Sequence, residues 1–217
     1  MGVGPHARAG VGPRPQIRNA DEMRVIAGSL KGRRLLTPHW DGLRPTSDKL
    51  RETLFNVLAS RIEGAHVLDG FAGTGAVGIE ALSRGAAHVT FVESDARAVR
   101  LIQRNLDHCR VGDRYAIIRA RFAGNERPPG GGRFDLVFLD PPYGATELAA
   151  ALEAAGPLIA GGALLILEHA KRDAAPATSG PLVRTREIVS GDSALALYQR
   201  SGAAGSDKGG DAASNKD

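Results

Sequence analysis

Short apolar segments alternate with segments of helical periodicity through most of this 217-residue chain, and few folds satisfy that alternation. Residues 66–68, 88–92, 115–119, 134–139 and 163–167 read as buried strands. Between them, residues 76–84, 96–109 and 146–159 carry apolar side chains at helical spacing, with Val99, Ile102 and Leu106 on one face of the second. Strands this short and this apolar are covered on both faces, so the pattern predicts an α/β fold with a parallel sheet between helices. Residues 182–189 and 194–200 break the alternation and predict a closing antiparallel hairpin around Ser190-Gly191-Asp192-Ser193.

The ends differ from the middle. Residues 1–22 and 201–217 are rich in Gly, Ala, Pro, Ser and charge, without apolar periodicity, and are expected to be disordered tails. Residues 24–27 and 34–37 read as two strands around Gly28-Ser29-Leu30-Lys31-Gly32, a basic hairpin. Thr46 or Ser47 can cap a helix that Asp48 opens, with Leu50, Leu54, Phe55, Val57, Leu58 and Ile62 at helical spacing. The expected organisation is therefore a hairpin-and-helix unit over 23–62 and a sheet domain over 63–200.

Composition excludes several classes. The longest apolar runs fall far short of the about 20 residues a bilayer needs, and the N-terminus has no apolar core of a secretory signal. A single cysteine, Cys109, forbids an internal disulfide, and the six scattered histidines show no metal spacing, so no metal is expected. A cytoplasmic protein, without membrane contact and monomeric, is the simplest reading. The net charge is only +4, but residues 24–51 hold seven basic side chains against two acidic ones. Such a block suits either a solvated face or a polyanion partner.

Two stretches carry chemistry. The first is Val67-Leu68-Asp69-Gly70-Phe71-Ala72-Gly73-Thr74-Gly75-Ala76-Val77-Gly78, a strand running through a glycine loop into a helix, with Glu93 and Ser94 ending the next strand. Nicotinamide enzymes and S-adenosylmethionine enzymes share this outline. Asp69 separates them: a carboxylate at the loop mouth repels a pyrophosphate and attracts a sulfonium cofactor with an α-ammonium group. Glu93, one strand over, lies where ribose hydroxyls would fall. A plain glycine turn with Asp69 capping backbone amides is the alternative, and Asp95 reads as the cap of the following helix.

The second stretch is Phe134 to Leu139 followed by Asp140-Pro141-Pro142-Tyr143-Gly144. A buried strand delivers Asp140 to the carboxyl edge of the sheet, and two prolines then fix the backbone and leave carbonyls free as acceptors. Asp140 and the Pro141 carbonyl can accept both hydrogens of an exocyclic amine while Tyr143 stacks on its ring. Held so, the nitrogen lone pair is freed to attack a methyl group.

With both stretches in this order, and a hairpin closing the sheet, the chain resembles the amino-methyltransferases with an acid-Pro-Pro-aromatic motif. It is closest to the RsmD family of small-subunit ribosomal RNA guanine-N2 methyltransferases. The resembling text is Met23 to Gly28, Lys31-Gly32-Arg33, Leu43 to Asp48, Arg51 to Asn56, the glycine loop, Glu80 to Gly85 and Asp140 to Tyr143. The resemblance implies a Rossmann-like class I fold with a seven-stranded, mostly parallel sheet. It implies methylation of the guanine called position 966 in standard 16S numbering, on the assembling small subunit. Cofactor contacts would be Asp69, Gly70, Phe71, Ala72, Gly73, Thr74, Gly75, Glu93 and Ser94, with Thr46 and Arg51 at the methionine end. The catalytic set would be Asp140, Pro141, Pro142 and Tyr143. The hairpin would hold RNA through Arg24, Lys31, Arg33 and Arg34, with Arg44 beside it. Such enzymes often bind adenine with a small acid or amide after the third strand; here Arg121 stands near that place and cannot accept a hydrogen bond.

Other readings are a DNA adenine-N6 methyltransferase, a nicotinamide oxidoreductase and an RNA-binding protein without activity. No separate DNA-recognition domain and no hydride-transfer motif is visible, and the intact Asp69, Glu93 and Asp140 set argues against a silent protein.

Overall fold

Side chains that alternate along the central strands feed two separate cores, one on each face of a single sheet. In the computed structural model, which describes residues 23–38, 40, 48–123, 133–142 and 144–201, the order is α1 (Asp48–Leu58), β1 (His66–Asp69), α2 (Ala76–Ser83), β2 (His88–Glu93), α3 (Ala96–His108), β3 (Tyr115–Arg119), β4 (Phe134–Leu139), α4 (Ala145–Ala155), a 3-10 turn (Gly156–Leu158), β5 (Ile159–Ala170), β6 (Thr178–Ser179), β7 (Leu182–Ser190) and β8 (Ser193–Arg200). The sheet order is β3-β2-β1-β4-β5-β8-β7-β6. The first five strands are parallel and the last three antiparallel. Val67, Phe91, Leu136, Phe138 and Ile166 pack with residues of α1, α2 and α3. Leu68, Val92, Val137, Leu139 and Leu167 pack with α4. Burial of each such side chain contributes roughly 1.5–3 kcal/mol.

The strand order reverses between β1 and β4, which open α/β sheets use as a ligand crevice. The sheet has eight strands rather than the seven expected, because two residues of the loop after β5 add to the edge of β7. β5 also runs from Ile159 to Ala170, well beyond the apolar run that marked it, since pairing on both sides carries its ends. Residues 1–22 and 202–217, the capping residues Thr46 and Ser47, and Arg44 and Tyr143 lie outside the described residues, while Ser201, expected in the tail, donates to the Pro181 carbonyl.

The hairpin departs most from expectation. One isolated antiparallel bridge, Arg24 with Arg34, forms there, closed by Val25 N to the Arg33 carbonyl, Gly32 N to the Val25 carbonyl and Leu35 N to the Met23 carbonyl. The amides of Ile26 and Ala27 turn away from the facing strand and donate to the two carboxylate oxygens of Glu80 at 2.7 and 2.9 Å. Glu80, on α2, is completely buried. It also accepts from Arg84 Nε at 2.7 Å and lies 3.8 Å from Nη1 of the equally buried Arg51 on α1. Arg51 donates to Asp48 at 2.5 Å and to the Arg24 carbonyl at 2.9 Å, and the Arg84 guanidinium sits 4.7 Å from the Phe55 ring centre. Gly28 completes the seat with a φ of +81°; a Cβ there would stand 1.9 Å from the Ser83 carbonyl oxygen.

A second anchor is Asn105 of α3, fully buried. Its oxygen accepts from Leu36 N at 2.7 Å, and its amide donates to the carbonyls of Leu36 and Thr74 at 3.2 and 2.9 Å. Removing Glu80 strands a buried guanidinium and two amides. Glu80→Ala is therefore expected to lower stability by about 3–5 kcal/mol, as when one partner of a buried ion pair is lost. Denaturant unfolding checks this; a loss under about 1 kcal/mol would mean that those groups find other partners.

Candidate active site

Three acids end three adjacent strands at the switch point: Glu93 on β2, Asp69 on β1 and Asp140 directly after β4. The glycine loop between β1 and α2 folds because its own amides have acceptors. Gly70 N donates to the Phe138 carbonyl, Ala72 N to that of Val92 and Gly75 N to that of Ala72. Glu93 Oε2 accepts from Gly73 N at 2.9 Å and Oε1 from Asp95 N at 2.8 Å. Asp69 Oδ2 accepts from Gly78 N in the first turn of α2 at 3.1 Å. A Cβ on Gly78 would lie 2.1 Å from the Phe91 ring, so the helix can press this close to the sheet only with glycine there.

Asp69 thus has the capping role that the sequence left as its alternative, and Glu93 shapes the loop as well. Neither role consumes the whole carboxylate. Asp95 caps α3 as expected, accepting from Arg97 N at 2.7 Å, and its carboxyl is held down to about 2 by the Arg97 side chain and amide. Phe71 is half-buried and tilted against Phe122, ring centres 5.4 Å apart. Ser94 is exposed beside Glu93. Arg121 is exposed, while its neighbour Phe122 is buried against the loop. The Thr74 hydroxyl turns inward, 3.6 Å from Met23 Sδ. Arg51 lies in the buried contact between α1 and α2 described above, apart from the loop's own hydrogen bonds. Pro141 is buried and Pro142 exposed at the turn after β4. Among the basic residues, Arg24, Lys31 and Arg34 are exposed, whereas Arg33 is half-buried and donates to the Cys109 carbonyl.

The electrostatics are one-sided. Burial pushes the carboxyl of Asp69 up to about 7; the Gly78 amide opposes this, and the charges of Asp140 and Glu93 add to it. Burial likewise pushes Asp140 up to about 7. Among the described residues no lysine or arginine forms an ion pair with Asp69, Glu93 or Asp140. A crevice walled by three acids, with no ion-paired cation among the described residues, suits a ligand that brings positive charge. An S-adenosylmethionine molecule, with its sulfonium and α-ammonium groups, fits that donor set; a pyrophosphate does not.

Glu80 and Asn105 were not singled out as positioning residues by sequence reasoning. Glu80 stood in the resembling text, and its placement on an otherwise apolar helix was the available signal.

The strand order, the glycine loop on β1 and the Asp-Pro-Pro turn on β4 define a Rossmann-like fold of the class I methyltransferase kind. A family model described as Conserved hypothetical protein 95 matches residues 23–199, and the chain belongs to that family, the RsmD family. Ribosomal RNA small subunit methyltransferase D of Escherichia coli (strain K12) is 37% identical over 191 residues, 86% of this chain and 94% of that protein. YlbH of Bacillus subtilis (strain 168) is 36% identical over 187 residues, 83% of this chain and 100% of the other. The solved structure of yhhF from Escherichia coli matches with a TM-score of 0.72 at 36% identity, covering 82% of this chain and 98% of that one. No helix among the described residues is long and apolar enough to cross a membrane.

Between about pH 4 and 7 the folded, ligand-free chain keeps protons on Asp69 and Asp140 that the unfolded chain has released. Stability is therefore expected to fall as pH rises through that window. Asp69→Asn, which keeps an acceptor for Gly78 N but no charge, should flatten the slope. Denaturant unfolding at several pH values across the window checks this, and an equally steep slope in the variant would place its origin elsewhere.

Proposed function

We propose that this protein transfers a methyl group from S-adenosylmethionine to the exocyclic N2 amine of a guanine in 16S ribosomal RNA of the assembling small subunit. The observation that carries this reading is the turn Asp140-Pro141-Pro142, set on β4 beside the glycine loop of β1. The ribosomal RNA substrate is supported by the name of the Escherichia coli relative.

When bound, S-adenosylmethionine supplies an electrophilic methyl group. The chain's residues then do the following. The loop Gly70–Gly75 gives close backbone approach, Asp69 and Glu93 face the cofactor's polar ends, and Ser94 lies beside the ribose position. Phe71 and Phe122 offer an apolar wall to the adenine, which replaces the acceptor that Arg121 cannot be. Thr46 and Arg51 are proposed for the methionine end. Asp140 and the Pro141 carbonyl accept the two amine hydrogens, and Pro142 keeps the turn rigid. Tyr143 stacks on the guanine. Orientation and charge stabilisation supply the rate, because the amine becomes positive as it is methylated. Asp140, whose carboxyl sits near neutrality, is suited to receive the proton that the product then sheds. Arg24, Lys31, Arg34 and Arg44 are proposed to meet RNA phosphates; Arg33 fastens the hairpin and contributes charge beside them.

Asp140→Ala is expected to lower the single-turnover rate by roughly 100-fold or more, with cofactor affinity nearly unchanged. Asp140→Asn should keep more activity because its carbonyl still accepts. The assay uses small subunits from a deletion strain, with the product nucleoside identified by mass spectrometry. Full activity in Asp140→Ala, or N6-methyladenine as product, would overturn the reading. Glu93→Ala should weaken S-adenosylmethionine binding by roughly 1–3 kcal/mol in calorimetry, and unchanged affinity would remove Glu93 from the site.

A further inference from the structure

Residues 33–38 and Trp40 lie along α3 and run against the helix direction. Arg33 donates to the carbonyl of Cys109, just past the end of the helix. Leu36 exchanges two hydrogen bonds with Asn105. The Trp40 ring centre is 5.1 Å from the guanidinium of Arg97, in the first turn. The segment therefore climbs from the far end of α3 to the edge where Glu93 ends β2.

Arg97, Arg100 and Arg104 stand three and four positions apart, so they line one face of α3, and all three are exposed. Arg97 is committed to Asp95 and Trp40. Arg100 and Arg104 have no ion-pair partner among the described residues, and Asp107, the helix's own acid, accepts from Gln103. Lys31 is exposed in the hairpin turn, two residues before Arg33, which bonds the end of α3. A solvated helix can carry arginines for solubility alone. The indole that caps this row is different: it is half-buried, held on one face by a guanidinium and set at the catalytic edge. Cations leading to an aromatic plate are what a single-stranded nucleic acid engages, phosphates on the first and a base on the second.

We propose that α3 and the segment lying on it form a track for single-stranded RNA, with Lys31, Arg104 and Arg100 holding phosphates and Trp40 stacking a base that flanks the methylated one. This rests on RNA as the substrate.

Trp40 is the only tryptophan in the chain, so its emission reports one place. Titrating the full-length protein with a single-stranded RNA oligonucleotide is expected to change that emission, and S-adenosylmethionine alone is not. The double variant Arg100→Gln, Arg104→Gln should lower the slope of log affinity against log salt by up to about 1.4, two contacts at roughly 0.7 each. Arg186→Gln, on β7 at the opposite end of the sheet, should leave it unchanged. Trp40→Ala should weaken oligonucleotide binding by roughly 5- to 150-fold, the cost of one lost stack, and Trp40→Phe should restore most of it. Emission unmoved by RNA, emission moved by cofactor alone, or an unchanged salt slope in the double variant would each overturn the track. Failure of the underlying reading looks different: the oligonucleotide would bind as described, while wild-type protein would leave no N2-methylguanine in small subunits.

Discussion

The hairpin, α1 and α2 meet at one buried carboxylate. Glu80 takes two backbone amides from the hairpin, an arginine from its own helix and the charge of a second arginine from α1. A charge this deep is costly unless each of its oxygens is occupied, so the arrangement tolerates no partial assembly. The hairpin, α1 and α2 must all be present for any of them to be stable in this geometry. The Ala27 amide that goes to Glu80 is not available to the facing segment. The appendage is thereby part of the sheet domain's packing, with Met23, Val25 and Leu35 joined to the same core as α1, α2 and α3.

At the other end of α2 the logic reverses. There the fold gathers negative charge, and among the described residues no lysine or arginine pairs with it. Asp69, Glu93 and Asp140 are brought together by strand order alone, and two of them are buried deeply enough to hold their protons near neutral pH. Asp69 and Glu93 also tie down backbone amides of the loop and of the helix after it, so the shape of the crevice and much of its charge come from the same atoms. A ligand that supplies positive charge relieves both burial and repulsion, which gives the crevice selectivity before any specific contact forms.

How much of this was legible in sequence depends on distance along the chain. The strands from Val67 to Leu167, the glycine loop and the Asp-Pro-Pro turn are local patterns, and residues 66–69, 88–93, 115–119 and 134–139 fold as periodicity suggests. The cap formed by Asp95 is equally local. Glu80 and Asn105 were opaque because the hairpin amides they hold lie 53 to 69 residues away, where no periodicity points. The hairpin was overdrawn for the same reason, since its competitor for hydrogen bonds was remote. Asp69 was legible as important, but whether it faces a ligand or caps α2 turns on a 3.1 Å contact with Gly78 that spacing cannot reveal.

The long reach of those contacts has a consequence for synthesis on the ribosome. Arg33 finds its acceptor on Cys109, 76 residues later. At roughly 5–20 residues per second that partner is made about 4–15 s after Arg33 itself. Through that interval the N-terminal segment can dock on α1 and α2 but lacks its anchors on α3. The segment around Arg33 and Leu36 therefore settles fully only once α3 is complete, long after it is itself made.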